Sequence, residues 1–328
     1  MSEVEAPSPS RLRDLHRALL LPRLVEEKML ALLRQGRLSK WFSGIGQEAI
    51  AVGVASALRP DDWILPMHRN LGVFTTRGLD LLTLFRQLLG RDGGFTRGRD
   101  RTFHFGAPDH AVIGMISHLG AMLPVADGLA LASQLKETKR VAAAFCGEGG
   151  TSEGDFHEAV NLAAVWKLPV LFVIENNGFG LSTPTTEQYA CRDLADKGVG
   201  YGIPGITVDG NDVLAVMGEV SAGAERARRG DGPTLLEFKT FRMRGHEEAS
   251  GTDYVPKDLL EEWSYKDPVG RFEARLLNEG ILTPAARDSV RAELKGHVDS
   301  LVDEALATPE ARSTPEREVA DVYAPSRG

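Results

Sequence analysis

Residues 141 to 180 read VAAAFCGEGGTSEGDFHEAVNLAAVWKLPVLFVIENNGFG. Two uninterrupted apolar runs, 141 to 146 and 170 to 175, enclose a segment of helical length, 152 to 166. A strand that is apolar on both faces is buried on both faces, which is the habit of parallel sheets with helices on either side. The same punctuation continues outward. A helix is expected over 121 to 137 before this unit, and the strand-like runs ITV at 206 to 208 and TLLEF at 234 to 238 bracket a helix over 212 to 229. The spacing predicts an α/β fold: a parallel sheet with helices on both faces and extra helices at each end.

Toward the N-terminus, Leu12, Leu15 and Leu19, then Leu24, Met29 and Leu32, recur at helical spacing, with Pro22 placed to open a second segment. Two short helices are expected there. GQEAIAVGVASALRPDDWILP, 46 to 66, reads as helix, turn and strand, and 80 to 89 as helix. Residues 90 to 118 carry many Gly, Arg and His with little periodicity, and predict a long ordered loop. Amphipathic helices are expected over 256 to 306. Beyond Thr308 the tail, with Pro309, Pro315 and Pro325, reads as an extended arm.

The 328 residues are 42% hydrophobic and 26% charged, which excludes a disordered or collagen-like chain. With 38 Lys+Arg against 46 Asp+Glu, the net charge of −8 disfavours a general nucleic-acid surface. Cys146 and Cys191 make no zinc-ribbon or C-x-x-C spacing, and no apolar run approaches the ~20 residues that cross a bilayer. MSEVEAPSPSRLRD lacks the order of a signal peptide. A reducing, cytoplasmic setting without membrane or nucleic-acid partners is the expectation.

Gly147, Glu148, Gly149 and Gly150 come directly after an apolar strand, where open α/β sheets place ligands. Glycines admit a close approach, and N–H groups at the next helix start favour phosphate. The segment imitates a nicotinamide-binding fingerprint, with Glu175 as the acid. However, Ser152 replaces the third glycine, and Glu148 stands between the first two. A carboxylate facing a diphosphate is repelled by several kcal/mol in a cleft of low dielectric, so a cation must intervene. Magnesium suits this role, being bound by oxygen from carboxyl, carbonyl and phosphate groups. Glu148 then becomes a ligand. Asn177 is a neutral oxygen donor at the end of the neighbouring strand, and the backbone carbonyl of Phe179 is placed to join them. Asn-Asn-Gly alone is an ordinary turn. GEG and NN across one βαβ unit are far more specific than either.

This pair resembles the thiamine diphosphate signature, normally G-D-G followed by a later N-N. From Gly46-Gln47-Glu48 through MHRN, VDGND and RGHEEASG, nearly the whole chain is similar to the alpha subunit of the two-chain 2-oxo acid dehydrogenases, their decarboxylating component. GEGGTSEGDFHE, NNGFGLSTPTTEQY, GYGIPGITVDGNDVLAV and the HFG at 104 to 106 resemble its branched-chain (2-oxoisovalerate) members more than its pyruvate members. Pyruvate and acetoin remain alternatives. The resemblance divides the chain into an N-terminal helical arm (1–45), a diphosphate-binding α/β domain (46–255), and C-terminal helices with a tail (256–328).

The same resemblance implies roles. Arg69 matches an arginine on the diphosphate, with Met67 and His68 flanking the aminopyrimidine. Ser117 and Leu119 match the stretch that supports the middle of the cofactor and bends it. His246 matches the histidine of the substrate channel. Where mitochondrial relatives place a phosphorylatable serine after that histidine, this chain has Glu247. A glutamate from a separate beta subunit would complete the site, giving an α2β2 heterotetramer that docks to a lipoyl-bearing dihydrolipoyl acyltransferase and acts on a small 2-oxo acid. Taken alone, Arg69 reads as a surface ion pair and Leu119 as core. His104, His110 and His118 fit no zinc spacing, and His157 with Asn161 reads as a brace. The run Arg91, Arg97, Arg99, Arg101 suits either an anionic partner or a solvated loop. Two further readings use the same residues: a nicotinamide dehydrogenase and a non-catalytic paralogue.

Overall fold

The computed structural model describes residues 7–322. The first six residues of the N-terminal stretch, and Pro325, lie outside them. In chain order the elements are α1 (Pro9–Arg34), α2 (Glu48–Ala57), β1 (Trp63–Leu65), α3 (Leu71–Thr76), α4 (Leu81–Leu88), α5 (Met122–Leu135), β2 (Ala142–Gly147), α6 (Gly154–Trp166) and β3 (Val170–Asn176). After these come β4 (Phe179–Gly180), β5 (Thr183–Pro184), α7 (Lys197–Tyr201), β6 (Gly205–Asp209), α8 (Val213–Arg228), β7 (Thr234–Lys239), α9 (Lys257–Ser264), α10 (Pro268–Asn278), α11 (Pro284–Ala307) and α12 (Pro315–Ala320).

Five strands form one parallel sheet in the order β1-β2-β3-β7-β6, while β4 and β5 make a separate antiparallel hairpin. The period of two along each strand divides the core between the faces of the sheet. Val141, Ala143, Phe145, Leu171, Val173 and Leu236 pack on one face with α2 and α8. Ala142, Ala144, Cys146, Val170, Phe172, Ile174 and Leu235 pack on the other with α5 and α6. The layered α/β architecture expected from the apolar runs is the observed one.

Two expectations need correction. The N-terminal segment is one helix of 26 residues with Pro22 inside it, not two short ones. Proline costs about 3 kcal/mol in a helix interior. Here the helix is held on both sides of it: Leu12, Leu15, Leu19 and Leu20 bury against the C-terminal helices, and Val25, Met29 and Leu32 against the main core. The tail is not a bare extended arm either. Pro315 occupies the first turn of α12, where proline is a starter, and Thr314 caps it by accepting from Arg317 N at 3.3 Å.

The loop over 90 to 118 is ordered, as its length and composition suggested. Buried Gln87 pins it, accepting from Thr96 N at 2.8 Å and donating to Asp100 O at 2.8 Å, while Phe95 stacks on Phe105 at 4.2 Å. Two of its arginines are tied to the C-terminal tail. Arg97 reaches Asp321 at 2.6 Å, and Arg99 reaches Glu318 at 2.6 Å and Asp321 at 2.7 Å, so α12 straps the loop.

Candidate active site

β2 and β3 pair with Gly147 opposite Glu175, so the chain leaves both strands at the same edge of the sheet. Beyond Gly147 the chain makes a 3-10 turn, Glu148–Ser152, before α6 begins. That turn points Glu148 inward. It is 1% exposed, and its Oε2 accepts the Asn177 N–H at 3.3 Å. Burial pushes its carboxyl above the ordinary range, against the pull of backbone N–H groups and the charges of Arg242 and Arg69. Asn177 Oδ1 accepts from Phe179 N at 3.2 Å, closing a turn that Gly178 completes at φ +89°. The Phe179 ring packs edge-on against Phe241 and Tyr254. A side chain at Gly150 would meet Cys146 Sγ at 2.5 Å, and one at Gly149 would meet Gly180, whereas the missing side chain of Gly147 faces open space.

The anion site expected at the start of the next helix is not there. α6 starts at Gly154 behind the 3-10 turn, Glu153 precedes it and Asp155 lies in its first turn, so that helix end already carries negative charge. Positive charge comes from side chains instead. Arg69 is 7% exposed and pairs with no carboxylate among the described residues, against the surface pair it suggests in isolation. Its guanidinium donates to Ser43 O at 3.2 Å and His246 O at 2.5 Å, and lies 3.0 Å from His246 Nδ1. Burial, then the charge of Arg242, hold it at about 9. His246 is held at about 4 by burial and by Arg69, Arg242 and Lys40, so it is neutral at pH 7. Arginine only donates; hence Nδ1 accepts and the proton of His246 rests on Nε2.

Phe42 is the hub of this wall. His68 lies edge-on to it at 4.9 Å and His246 at 5.6 Å, with Lys40 Nζ 4.7 Å from the ring centre. Burial first, then Arg69, keep His68 well below the usual histidine range, and its Nε2 has no partner. Met67 is half-buried against the core, its N–H donating to Asn70 Oδ1 at 2.7 Å. Ser117 joins through a chain of hydroxyls. Thr102 Oγ1 lies 2.6 Å from Asp100 Oδ1, His104 Nδ1 lies 2.6 Å from Thr102 Oγ1, and Ser117 Oγ lies 2.6 Å from His104 Nε2. Because Asp100 only accepts, Thr102 donates to it, and its oxygen is left to accept from His104 Nδ1. Leu119 is 60% exposed, not core, and its Cβ lies 3.9 Å from where a side chain on Gly150 would begin.

Several residues of the site escaped the sequence reading. Arg242 is 5% exposed and donates to Leu181 O at 2.7 Å and Tyr254 OH at 2.6 Å. Asn70 donates to Glu175 Oε1 at 2.8 Å, leaving Glu175 Oε2 without a partner and its carboxyl pushed by burial to about 8. Glu26, pushed by burial to about 7, holds Trp41 Nε1 at 2.5 Å and Gly44 N at 2.8 Å, fixing the turn around Phe42. Arg242 and Asn70 fall inside the motifs FRMRGHEEASG and MHRN; asking which cation and which amide flank the quoted residues would have found them. His157 does brace α6, through Tyr201 OH.

The electrostatics select a class of ligand. A buried carboxylate, Glu148, lacks a cation in contact, and a buried guanidinium, Arg69, lacks an anion in contact. Each is costly alone. A metal-bound anion satisfies both. Among the described residues no three His, Cys, Asp or Glu side chains gather around one point, so an ion at Glu148 would take its other ligands from amide, carbonyl and ligand oxygens. The fold and site thus define an α/β protein with an anion-and-cation cleft at adjacent strand ends.

Comparison with known proteins narrows the class. The model of the dehydrogenase E1 component family matches residues 16–314, and the chain belongs to that family. It is 37% identical over 317 residues to 2-oxoisovalerate dehydrogenase subunit alpha of Bacillus subtilis, covering 95% of this chain and 94% of that one. It is 38% identical over 299 residues to pyruvate dehydrogenase E1 component subunit alpha of Acholeplasma laidlawii, covering 90% and 84%. It is 40% identical over 256 residues to the alpha subunit of the acetoin:2,6-dichlorophenolindophenol oxidoreductase of Bacillus subtilis, covering 77% of each. Three names with three substrates stand at similar identity, so similarity alone does not choose among them. No helix among the described residues is long and apolar enough to cross a membrane.

Proposed function

We propose that the chain is the alpha subunit of a heterotetrameric 2-oxo acid dehydrogenase, using thiamine diphosphate and Mg2+ to decarboxylate a branched-chain 2-oxo acid and hand the acyl group to lipoyl groups of an acyltransferase. The observation that carries this reading is the contact of Glu148 Oε2 with Asn177 N at 3.3 Å across two strand ends, beside buried Arg69. Glu148, Asn177 Oδ1 and the Phe179 carbonyl would hold the metal, and Arg69 the diphosphate, with Gly147, Gly149 and Gly150 allowing its approach. Met67 and His68 would border the aminopyrimidine, while Ser117 and Leu119 would support the middle of the cofactor. The bound cofactor supplies the carbanion-stabilising chemistry.

This chain's own residues bind and orient. His246 is neutral at pH 7 with its proton on Nε2, so it offers a hydrogen bond and not a charge. Trp41, Phe42 and Phe103 line a small recess together with Lys40, His68, Arg101, Thr102 and His104. The branched-chain character of GEGGTSEGDFHE and HFG supports the branched-chain choice over pyruvate or acetoin.

The test is reconstitution with the beta subunit, binding of thiamine diphosphate with and without Mg2+, and turnover on a panel of 2-oxo acids. Glu148→Gln is expected to remove the Mg2+ dependence of binding. Tight binding that is indifferent to Mg2+ in the wild type, or binding of NAD(H) instead, would overturn the proposal. Faster turnover of pyruvate than of any branched acid would overturn the substrate choice alone.

A further inference from the structure

Asn-Asn-Gly holds two asparagines, and the proposed site uses only the second. Asn176, the last residue of β3, is 5% exposed, and its side chain reaches across to the neighbouring strand β7. There it meets Glu237, which is fully buried within that strand. Asn176 Nδ2 donates to Glu237 Oε1 at 2.6 Å and to Tyr189 OH at 2.8 Å, while Asn176 Oδ1 accepts from Gly178 N at 3.2 Å. Both amide hydrogens and the amide oxygen are thereby engaged.

Glu237 is held as firmly as it holds. Its Oε1 also accepts from Lys239 Nζ at 2.5 Å, its Oε2 accepts from Ala195 N at 3.0 Å, and Lys239 pairs in turn with Asp193 at 3.2 Å. A buried carboxylate with partners on both oxygens keeps its place. Paired with a lysine it only accepts, so it settles which way the Asn176 amide faces: the NH2 points at Glu237, and Oδ1 is left for Gly178 N. An amide turned the other way would set its oxygen against the carboxylate and its NH2 against the Gly178 N–H. The bond so enforced ties down the turn that contains Asn177 and Phe179.

We propose that Glu237 is a positioning residue for the candidate metal site: through the Asn176 amide it fixes the turn that carries Asn177 and the Phe179 carbonyl. The inference rests on the thiamine diphosphate reading and adds to it the residue, one strand beyond β3, that keeps the two neutral ligands in place. A hard divalent ion bound partly by neutral oxygens is sensitive to where those oxygens are held, and the groups that orient them govern its affinity.

The test alters the two side chains in the full chain reconstituted with its beta subunit. It reads Mn2+ binding in the presence of thiamine diphosphate by electron paramagnetic resonance, Mn2+ standing in for Mg2+ at oxygen ligands. Asn176→Asp sets two carboxylates face to face, and the half-saturating Mn2+ concentration is expected to rise about 30-fold or more. Adding Glu237→Gln lets the glutamine NH2 donate to the new carboxylate while its carbonyl accepts from Ala195 N. The double variant is therefore expected to return to within about threefold of wild type, whereas two independent structural losses would add. Asn176→Ala removes the anchor without adding charge, is expected to weaken Mn2+ binding about tenfold, and serves if the aspartate variant does not fold. Wild-type Mn2+ affinity in either single variant at position 176, whatever the change in Tm, overturns the positioning role. A double variant that binds no more tightly than Asn176→Asp overturns the part assigned to Glu237. Both results leave the cofactor reading intact. A wild type that binds no Mn2+ with thiamine diphosphate overturns that reading, and the inference falls with it.

Discussion

Replacing Arg69 with methionine separates a ligand-binding arginine from a structural one, because the two roles predict opposite changes in the ligand-free chain. The guanidinium is 7% exposed and held at about 9, so at pH 7 it remains charged and the whole cost of burying it sits in the folded state. A fall from 12.5 to about 9 corresponds to roughly 5 kcal/mol against the charged form. Against this stand three hydrogen bonds, to Ser43 O, His246 O and His246 Nδ1, whose loss costs about 1–1.5 kcal/mol each. Methionine keeps the apolar stem, so the balance favours the variant by about 1 kcal/mol and its Tm is expected to rise by about 1–2 °C. The same variant is expected to lose the stabilisation that thiamine diphosphate with Mg2+, or inorganic diphosphate with Mg2+, gives the wild type. The assay is thermal unfolding with and without these ligands. A variant that melts below wild type without ligand, and is still stabilised by diphosphate to at least half the wild-type extent, would refute the reasoning and make Arg69 a strut.

Glu175, held at about 8 in the folded chain against about 4.5 unfolded, binds its proton more tightly when folded; the stability it contributes is full below about pH 4.5 and is lost as the pH rises toward 8. Glu175→Gln is therefore expected to flatten the decline in Tm of the ligand-free chain between about pH 5 and 8, and equal slopes in the two proteins would count against this. The strap of α12 on the arginine loop is an exposed, charge-based contact, so Arg99→Ala is expected to leave Tm within about 1 °C while speeding proteolysis within 91–102, and unchanged cleavage would mean that Gln87 alone holds the loop.

The fold was legible where local pattern and burial agree. Unbroken apolar runs marked the central strands β2 and β3, because a strand covered on both faces has few polar positions to confuse the reading, whereas β6 is a largely exposed edge and β7 carries buried Glu237. Pro22 and Pro315 misled for one reason: proline's local cost is fixed, but its outcome depends on what holds the flanking turns, and that is tertiary information. The site was legible where chemistry is carried by consecutive residues. Glu148 and Asn177 announced each other through their spacing, and Glu148 Oε2 accepts the Asn177 N–H at 3.3 Å. The other buried polar residues of the site, Arg242, Asn70 and Glu26, come from three other parts of the chain and are brought in only by the fold. The helix-end anion site failed for a related reason. The glycines do precede α6, but a single 3-10 turn shifts its start by six residues from Glu148 and places Glu153 and Asp155 there. The positive charge at the cleft comes instead from side chains at 69 and 242, and burial together with those two charges keeps His246 neutral. A neutral imidazole with its proton on Nε2 donates at any pH above about 5, so the orientation of a ligand at that nitrogen would not track the titration of an ordinary histidine.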